Sequence, residues 1–232
     1  MAEKTGFRRR DLKGPDEFIS TFGRIVAWCK ENRLKSAVGA IAVVAVVALV
    51  LGTRAYLQWE ENKAARDLWP HLNRAQEVLQ APSGADPLKL ATIEQLLRSY
   101  VDTHPKTRTT LYARYYLGSI SFHRGNYDLA LSRFREGIAT GKASGIMRFL
   151  LRQGIAISLE AKGEFAAAAA AYRDAGSVAE AELKTQSRLG EARVLGLAGK
   201  KAEAASMYRL ILAETPETPL RDLVEIQLAQ TE

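Results

Sequence analysis

The side chains that could do chemistry in this chain are few and far apart. Its three histidines, His71, His104 and His123, have no neighbour in sequence with which to build a site. No HExxH pair sets two imidazoles on one helix face around a metal, no GxSxG elbow presents a serine, and no CxxC pair supplies thiolates. The segment GIATGKAS, Gly137 to Ser144, has glycines and a lysine in the order of a phosphate-binding loop. Its glycines are one residue too close, Ala143 stands where a hydroxyl must reach magnesium, and no strand precedes it, so the match fails. Cys29 is the only cysteine, which excludes an intramolecular disulfide and a Cys-based zinc cluster. It reads either as a thiol buried on an apolar face or, in a eukaryote, as a palmitoylation site. The expectation is a protein that is not an enzyme, with no catalytic residue, cofactor or metal.

The distribution of charge narrows the class of partner. The net charge of +7 is uneven: residues 1–35 carry nine Lys/Arg against five Asp/Glu, whereas residues 60–232 carry 23 against 21. A nucleic-acid binder concentrates basic charge on its folded domain. Here the excess lies ahead of the long apolar stretch, and no nucleic acid is expected as a partner.

That stretch is the element on which location depends. From Ala37 to Gly52 there are six Val, five Ala, two Leu, one Ile and two Gly, with no polar side chain among them. Sixteen residues make only ~24 Å of helix against a ~30 Å hydrocarbon core. Lys35 and Arg54 can snorkel, which stretches the crossing to residues 34–57, and Trp28, Tyr56 and Trp59 lie where interfacial aromatics belong. Two other readings compete. A buried core helix would show polar residues every three or four positions, and this run has none. A cleavable leader would need an n-region of more than thirty residues and a cut near Thr53-Arg54-Ala55, directly beside an arginine. A single transmembrane anchor is therefore the working expectation. Arg24, Lys30, Arg33 and Lys35 before it, reinforced by Arg8, Arg9, Arg10 and Lys13, outweigh Arg54, Lys63 and Arg66 after it. By the positive-inside rule residues 1–33 form a cytoplasmic tail and residues 58–232 lie outside the cytoplasm. Within the tail, Phe18, Phe22, Ile25 and Cys29 recur at helical spacing beside Ile19 and Val26. This juxtamembrane helix is amphipathic, and either lies on the inner membrane surface or is an ordinary short helix with a partly covered stripe.

From Trp59 onward the pattern is helical, with no proline between Pro105 and Pro216 and no alternating β-branched run. Pro70 should kink or break a helix over residues 59–80, and residues 88–103 form the next. GNYDLALSRFREG, GEFAAAAAAYRDA and GKKAEAASMYRLI, starting at Gly125, Gly163 and Gly199, superpose glycine on glycine. Ala130, Ala168 and Ala204 then coincide, as do Phe134, Tyr172 and Tyr208, with offsets of 38 and 36 residues. Each copy follows another helical stretch, so a helix, a glycine turn and a second helix repeat three times. The glycine permits the turn, the small residue a close helix approach, and the aromatic fills the space between hairpins.

On these residues the sequence resembles the tetratricopeptide family, whose earlier small position matches Gly118, Ala156 and Ala192 and whose closing proline matches Pro216. It departs from the family at Arg114, Arg152 and Arg188, which replace an early tryptophan, at Lys201, which replaces a turn aromatic, and at Glu191, which replaces a large apolar residue. The resemblance implies an all-α fold: one N-terminal transmembrane helix followed by a tetratricopeptide-like helical-hairpin solenoid. Clear copies are expected over about 111–142, 149–180 and 185–216, a divergent hairpin over about 60–105, and a capping helix over 219–230 with a polar outer face. It also implies a groove lined by the first helix of each hairpin: Tyr112, Tyr115, Ser119, Phe122 and His123, then Gln153, Ile157 and Glu160, then Arg193 and Leu197. Tyr and Phe there suit contact with an extended peptide or a partner helix, unless they pack against the preceding hairpin. The whole layout is similar to the family of ancillary subunits of the bacterial SecYEG translocon. That likeness implies a plasma-membrane scaffold with a periplasmic domain, whose partners are translocon subunits, periplasmic chaperones or emerging chains. An envelope scaffold for division or outer-membrane assembly, or a secreted repeat module, would share the same repeats.

Overall fold

The computed structural model describes the backbone of residues 15–81 and 86–231, and their side chains from residue 23 on except Ala181. Phe18, Ile19 and Phe22 of the expected amphipathic face, and Arg8, Arg9, Arg10 and Lys13 of the expected basic tail, lie outside the described side chains. Ten helices and no strand occur among the described residues: α1 (Pro15–Glu31), α2 (Arg33–Leu79), α3 (Pro87–Thr103), α4 (Thr110–His123), α5 (Tyr127–Ala139), α6 (Gly145–Ala161), α7 (Phe165–Ser177), α8 (Ala181–Leu197), α9 (Lys201–Glu214) and α10 (Arg221–Thr231). The chain divides into two compact units, residues 1–58 and 59–232.

In the first unit every residue of α2 from Ala37 to Gln58 is exposed, including Ile41, Leu49 and Leu51 at 59–70 %. A core helix would bury one face, and none of this stretch is buried, so that alternative fails. The helix is long and apolar enough to cross a membrane. In α1, Ile25, Val26 and Trp28 are exposed and Cys29 is half-buried.

The second unit starts on the later part of α2, where the expected break at Pro70 does not occur. Pro70 cannot donate to the carbonyl of Arg66, but both residues face solvent, where water can take that carbonyl. On the opposite face Ala64, Leu68, Leu72 and Ala75 are buried with Leu90, Ile93, Leu97 and Tyr100 of α3. Their burial, on the order of 1.5–3 kcal/mol for each leucine, outweighs one lost hydrogen bond. The Tyr100 hydroxyl donates to the Ala64 carbonyl at 3.0 Å and pins the two helices together. The next helix starts sharply because Asp86 caps it, accepting from the Leu88 amide at 2.9 Å, with Pro87 at the first helical position.

Three helix pairs follow. α4 packs on α5, α6 on α7 and α8 on α9, and each pair packs on the next through α5 with α6 and α7 with α8. The three turns share one construction. Gly125, Gly163 and Gly199 take φ of +73°, +77° and +78°, a region open mainly to glycine. The next residue's amide then donates back five residues: Asn126 to Ser121, Glu164 to Leu159 and Lys200 to Leu195, at 2.9–3.0 Å. Phe134, Tyr172 and Tyr208 are each 2 % exposed, and Ala130, Ala168 and Ala204 are fully buried.

Glycines inside helices make room for these rings. A β-carbon on Gly118 would stand 2.5 Å from the Phe134 ring, one on Gly154 2.7 Å from the same ring, and one on Gly190 2.5 Å from Tyr172. Phe134 is therefore held between α4 of its own hairpin and α6 of the next. Arg114, Arg152 and Arg188 find acids on the second helix of their own hairpin. Arg114 meets Glu136 at 2.9 Å, Arg152 meets Asp174 at 2.8 Å and Arg188 meets Glu214 at 2.5 Å. Glu191 is 2 % exposed and takes two donors from Arg173.

At the far end, Val224 is buried and Leu220 and Leu228 pack inward, whereas Leu223 and Ile226 stay 45 % and 54 % exposed. The helix expected to cap the array with a polar outer face thus carries two exposed apolar residues among its polar ones. Replacing Gly154 by Ala should destabilise the second unit by about 1–3 kcal/mol, because the new methyl must displace a buried ring. Thermal unfolding followed by circular dichroism checks this, with Gly39→Ala, which meets nothing within 4 Å, as the control.

Candidate functional site

The residues expected to line a groove come from α4, α6 and α8, and the structure divides them into three groups. Tyr115, Ser119, Phe122 and His123 of α4 meet Gln153 and Ile157 of α6 around a hollow of about 190 Å³. Glu160 and Arg193 engage each other. Tyr112 and Leu197 remain outside both, exposed at 41 % and 56 %.

The hollow exists because α4 and α6 approach each other directly with a ring between them. Phe134 of α5, almost wholly buried and packed directly on the Gly154 backbone, forms its floor, and Leu150 closes one wall. Tyr115 leans on Phe134 with ring centroids 5.9 Å apart, and Phe122 on Tyr127 at 5.4 Å. Both aromatics thus pack partly within their own hairpin and still offer a half-buried edge to the hollow. The Ser119 hydroxyl is turned to the Tyr115 carbonyl at 3.0 Å. No Asp, Glu, Lys or Arg lines the hollow.

One junction further on, the geometry is closed. Arg193 grips Glu160 in a fork, Nε to Oε1 at 2.9 Å and Nη2 to Oε2 at 2.7 Å. The Tyr172 hydroxyl donates to the same Glu160 Oε2 at 2.6 Å and accepts from Arg193 Nη2 at 3.2 Å. Burial and then the hydrogen bond to Glu160 raise the Tyr172 phenol well above its ordinary value. The hydrogen bond to Glu160 likewise raises Arg193.

Leu150, Gly154 and Phe134 are members of this site that residue chemistry alone does not nominate. Gly154 and Gly190 carry a usable signal, since a glycine inside a helix is unfavourable and these two recur one repeat apart. The histidines do not converge. His71 is half-buried, with Nδ1 lacking a partner. His104 stacks on Tyr100 at 4.5 Å and its Nδ1 pairs with the Thr103 hydroxyl. His123 is exposed at the rim of the hollow. Among the described residues no three His, Cys, Asp or Glu side chains gather as a metal set. Comparison with family models, curated proteins and solved structures gives no match to this chain.

Two measurements probe the closed junction. Glu160→Gln should cost roughly 1 kcal/mol of stability, a small value because solvent screens the half-exposed Arg193. Tyrosines of the unfolded chain ionise near about pH 10, so a phenol raised in the fold holds a proton that the unfolded state releases. Its contribution is intact below about pH 10 and is lost as pH rises toward the folded value. Tyr100, Tyr116 and Tyr208 are raised too, chiefly by burial. Tyr172→Phe should therefore reduce, not abolish, the loss of urea resistance between about pH 9 and about pH 11.

Proposed function

We propose that this chain is a non-catalytic, membrane-anchored scaffold. Its apolar helix crosses a bacterial inner membrane once with the N-terminus in the cytoplasm, and its hairpin array is a tetratricopeptide-like domain working in the periplasm. There it binds proteins at the export translocon: translocon subunits, periplasmic chaperones or emerging chains. The observation that carries this reading is the coexistence in one chain of an unburied span-length helix and a hairpin array with an aromatic, uncharged hollow on its surface. A water-exposed apolar helix of that length associates or aggregates unless lipid covers it. A hollow bounded by Tyr115, Phe122 and Ile157 offers apolar contact, and its one hydroxyl besides the Tyr115 phenol, that of Ser119, is turned to the Tyr115 carbonyl. Confinement to a membrane also raises the effective concentration of the array near any partner on that surface.

Photo-crosslinkers placed at Tyr115 or Phe122 in intact cells should capture translocon subunits or periplasmic chaperones. Recovery of division proteins with no translocon component would reject that choice of partner. Protease added to cells with opened outer membranes should remove the array while the tail stays protected. Release of the full-length chain by a carbonate wash would reject anchoring.

A further inference from the structure

Superposing the repeats by register shows that the hollow and the closed junction are the same place in successive copies. One repeat on, Phe122 becomes Glu160, Ile157 becomes Arg193 and Phe134 becomes Tyr172, each at the offset of 38 or 36 residues that relates the hairpins. Between the second and third hairpins those three substitutions fill the space with a forked ion pair capped by a phenol. Between the first and second, the same positions hold only hydrocarbon, and about 190 Å³ is left open.

Resting on the scaffold reading above, we infer that the first junction is an anchor pocket for one bulky uncharged side chain, aromatic or leucine-like, carried by a partner polypeptide, and that the second junction is shut against it. Size supports a side chain over a free ligand, because small-molecule pockets usually enclose about 300–1,000 Å³. Charge decides its chemistry. With no charged group in the lining to pair with, a Lys, Arg, Asp or Glu entering the hollow would be desolvated without compensation. An apolar side chain instead covers the half-buried edges of Tyr115 and Phe122 and packs on Leu150 and Ile157. Ser119, His123 and Gln153 at the margin supply polar groups for the backbone on either side of the anchor. At the closed junction the guanidinium, carboxylate and phenol satisfy one another, so an incoming apolar group would have to break three charge-assisted bonds.

The test uses the full chain in nanodiscs, with empty nanodiscs as background, and fluorescein-labelled Gly-Ser peptides bearing a single central Phe, Leu, Gly, Lys or Glu. Fluorescence polarisation should show the Phe and Leu peptides binding about tenfold or more tighter than the others, at one site per chain, as burial of one large apolar side chain implies. The triple variant Phe122→Glu, Ile157→Arg and Phe134→Tyr rebuilds the closed junction in the first position and should abolish that preference. The reverse triple variant, Glu160→Phe, Arg193→Ile and Tyr172→Phe, should open a second site and double the stoichiometry. Should the closing variant lose helical content by circular dichroism, Ser119→Trp, which fills the hollow from its margin, replaces it. Equal binding of all five peptides, or a Phe preference untouched in a folded closing variant, overturns the assignment. So does capture of a small apolar dye such as N-phenylnaphthylamine without peptide discrimination, which would make the hollow a lipid or small-molecule pocket. Because this assay needs no translocon, its failure is separate from a failed crosslink in cells, which would remove the proposed partner and leave the pocket standing.

Discussion

A ring pressed into the gap that a glycine leaves is the contact on which the second unit depends. Phe134 fills the space beside Gly118 in its own hairpin and Gly154 in the next, and Tyr172 does the same against Gly190. Close packing of this kind sets the distance between successive hairpins. A larger residue at either glycine forces the ring out, and a smaller residue at the ring leaves a void. The same contact builds the candidate site, because the face of Phe134 that holds α4 and α6 together is also the floor of the hollow between them.

Around that apolar spine, charge is used within and between hairpins for different ends. Arg114, Arg152 and Arg188 each clasp an acid on the second helix of their own hairpin, with side chains 18–23 % exposed. Partial shielding from solvent makes such pairs more than surface decoration. The Arg193–Glu160 fork instead links one hairpin to the next and removes a cavity. Junctions alike in backbone can therefore differ in surface chemistry through a handful of side chains.

Features with a local cause were legible in the sequence. Gly125, Gly163 and Gly199 mark the turns because a left-handed backbone conformation excludes most side chains, whatever surrounds it. The buried alanines and aromatics follow from spacing along each helix, and six of the ten residues nominated for the groove do line one hollow. Features with a distant cause were hidden. The acids that pair with the three arginines lie 22 to 26 residues away, and Glu160 lies 33 residues from Arg193. Pro70 obeys a local rule that four buried residues of α2 override. On α10 a count of polar residues conceals that Leu223 and Ile226 point away from the core.

Each hairpin of the array touches chiefly the elements before and after it, and α10 rests on α9 with a lesser contact to α8. Cohesion in such a stack is a sum of neighbour terms, so its cooperativity is one-dimensional. Among the described residues α10 carries a single fully buried residue, Val224. Loss of α10 therefore takes contacts chiefly from α9 and leaves the earlier hairpins the neighbours that hold them.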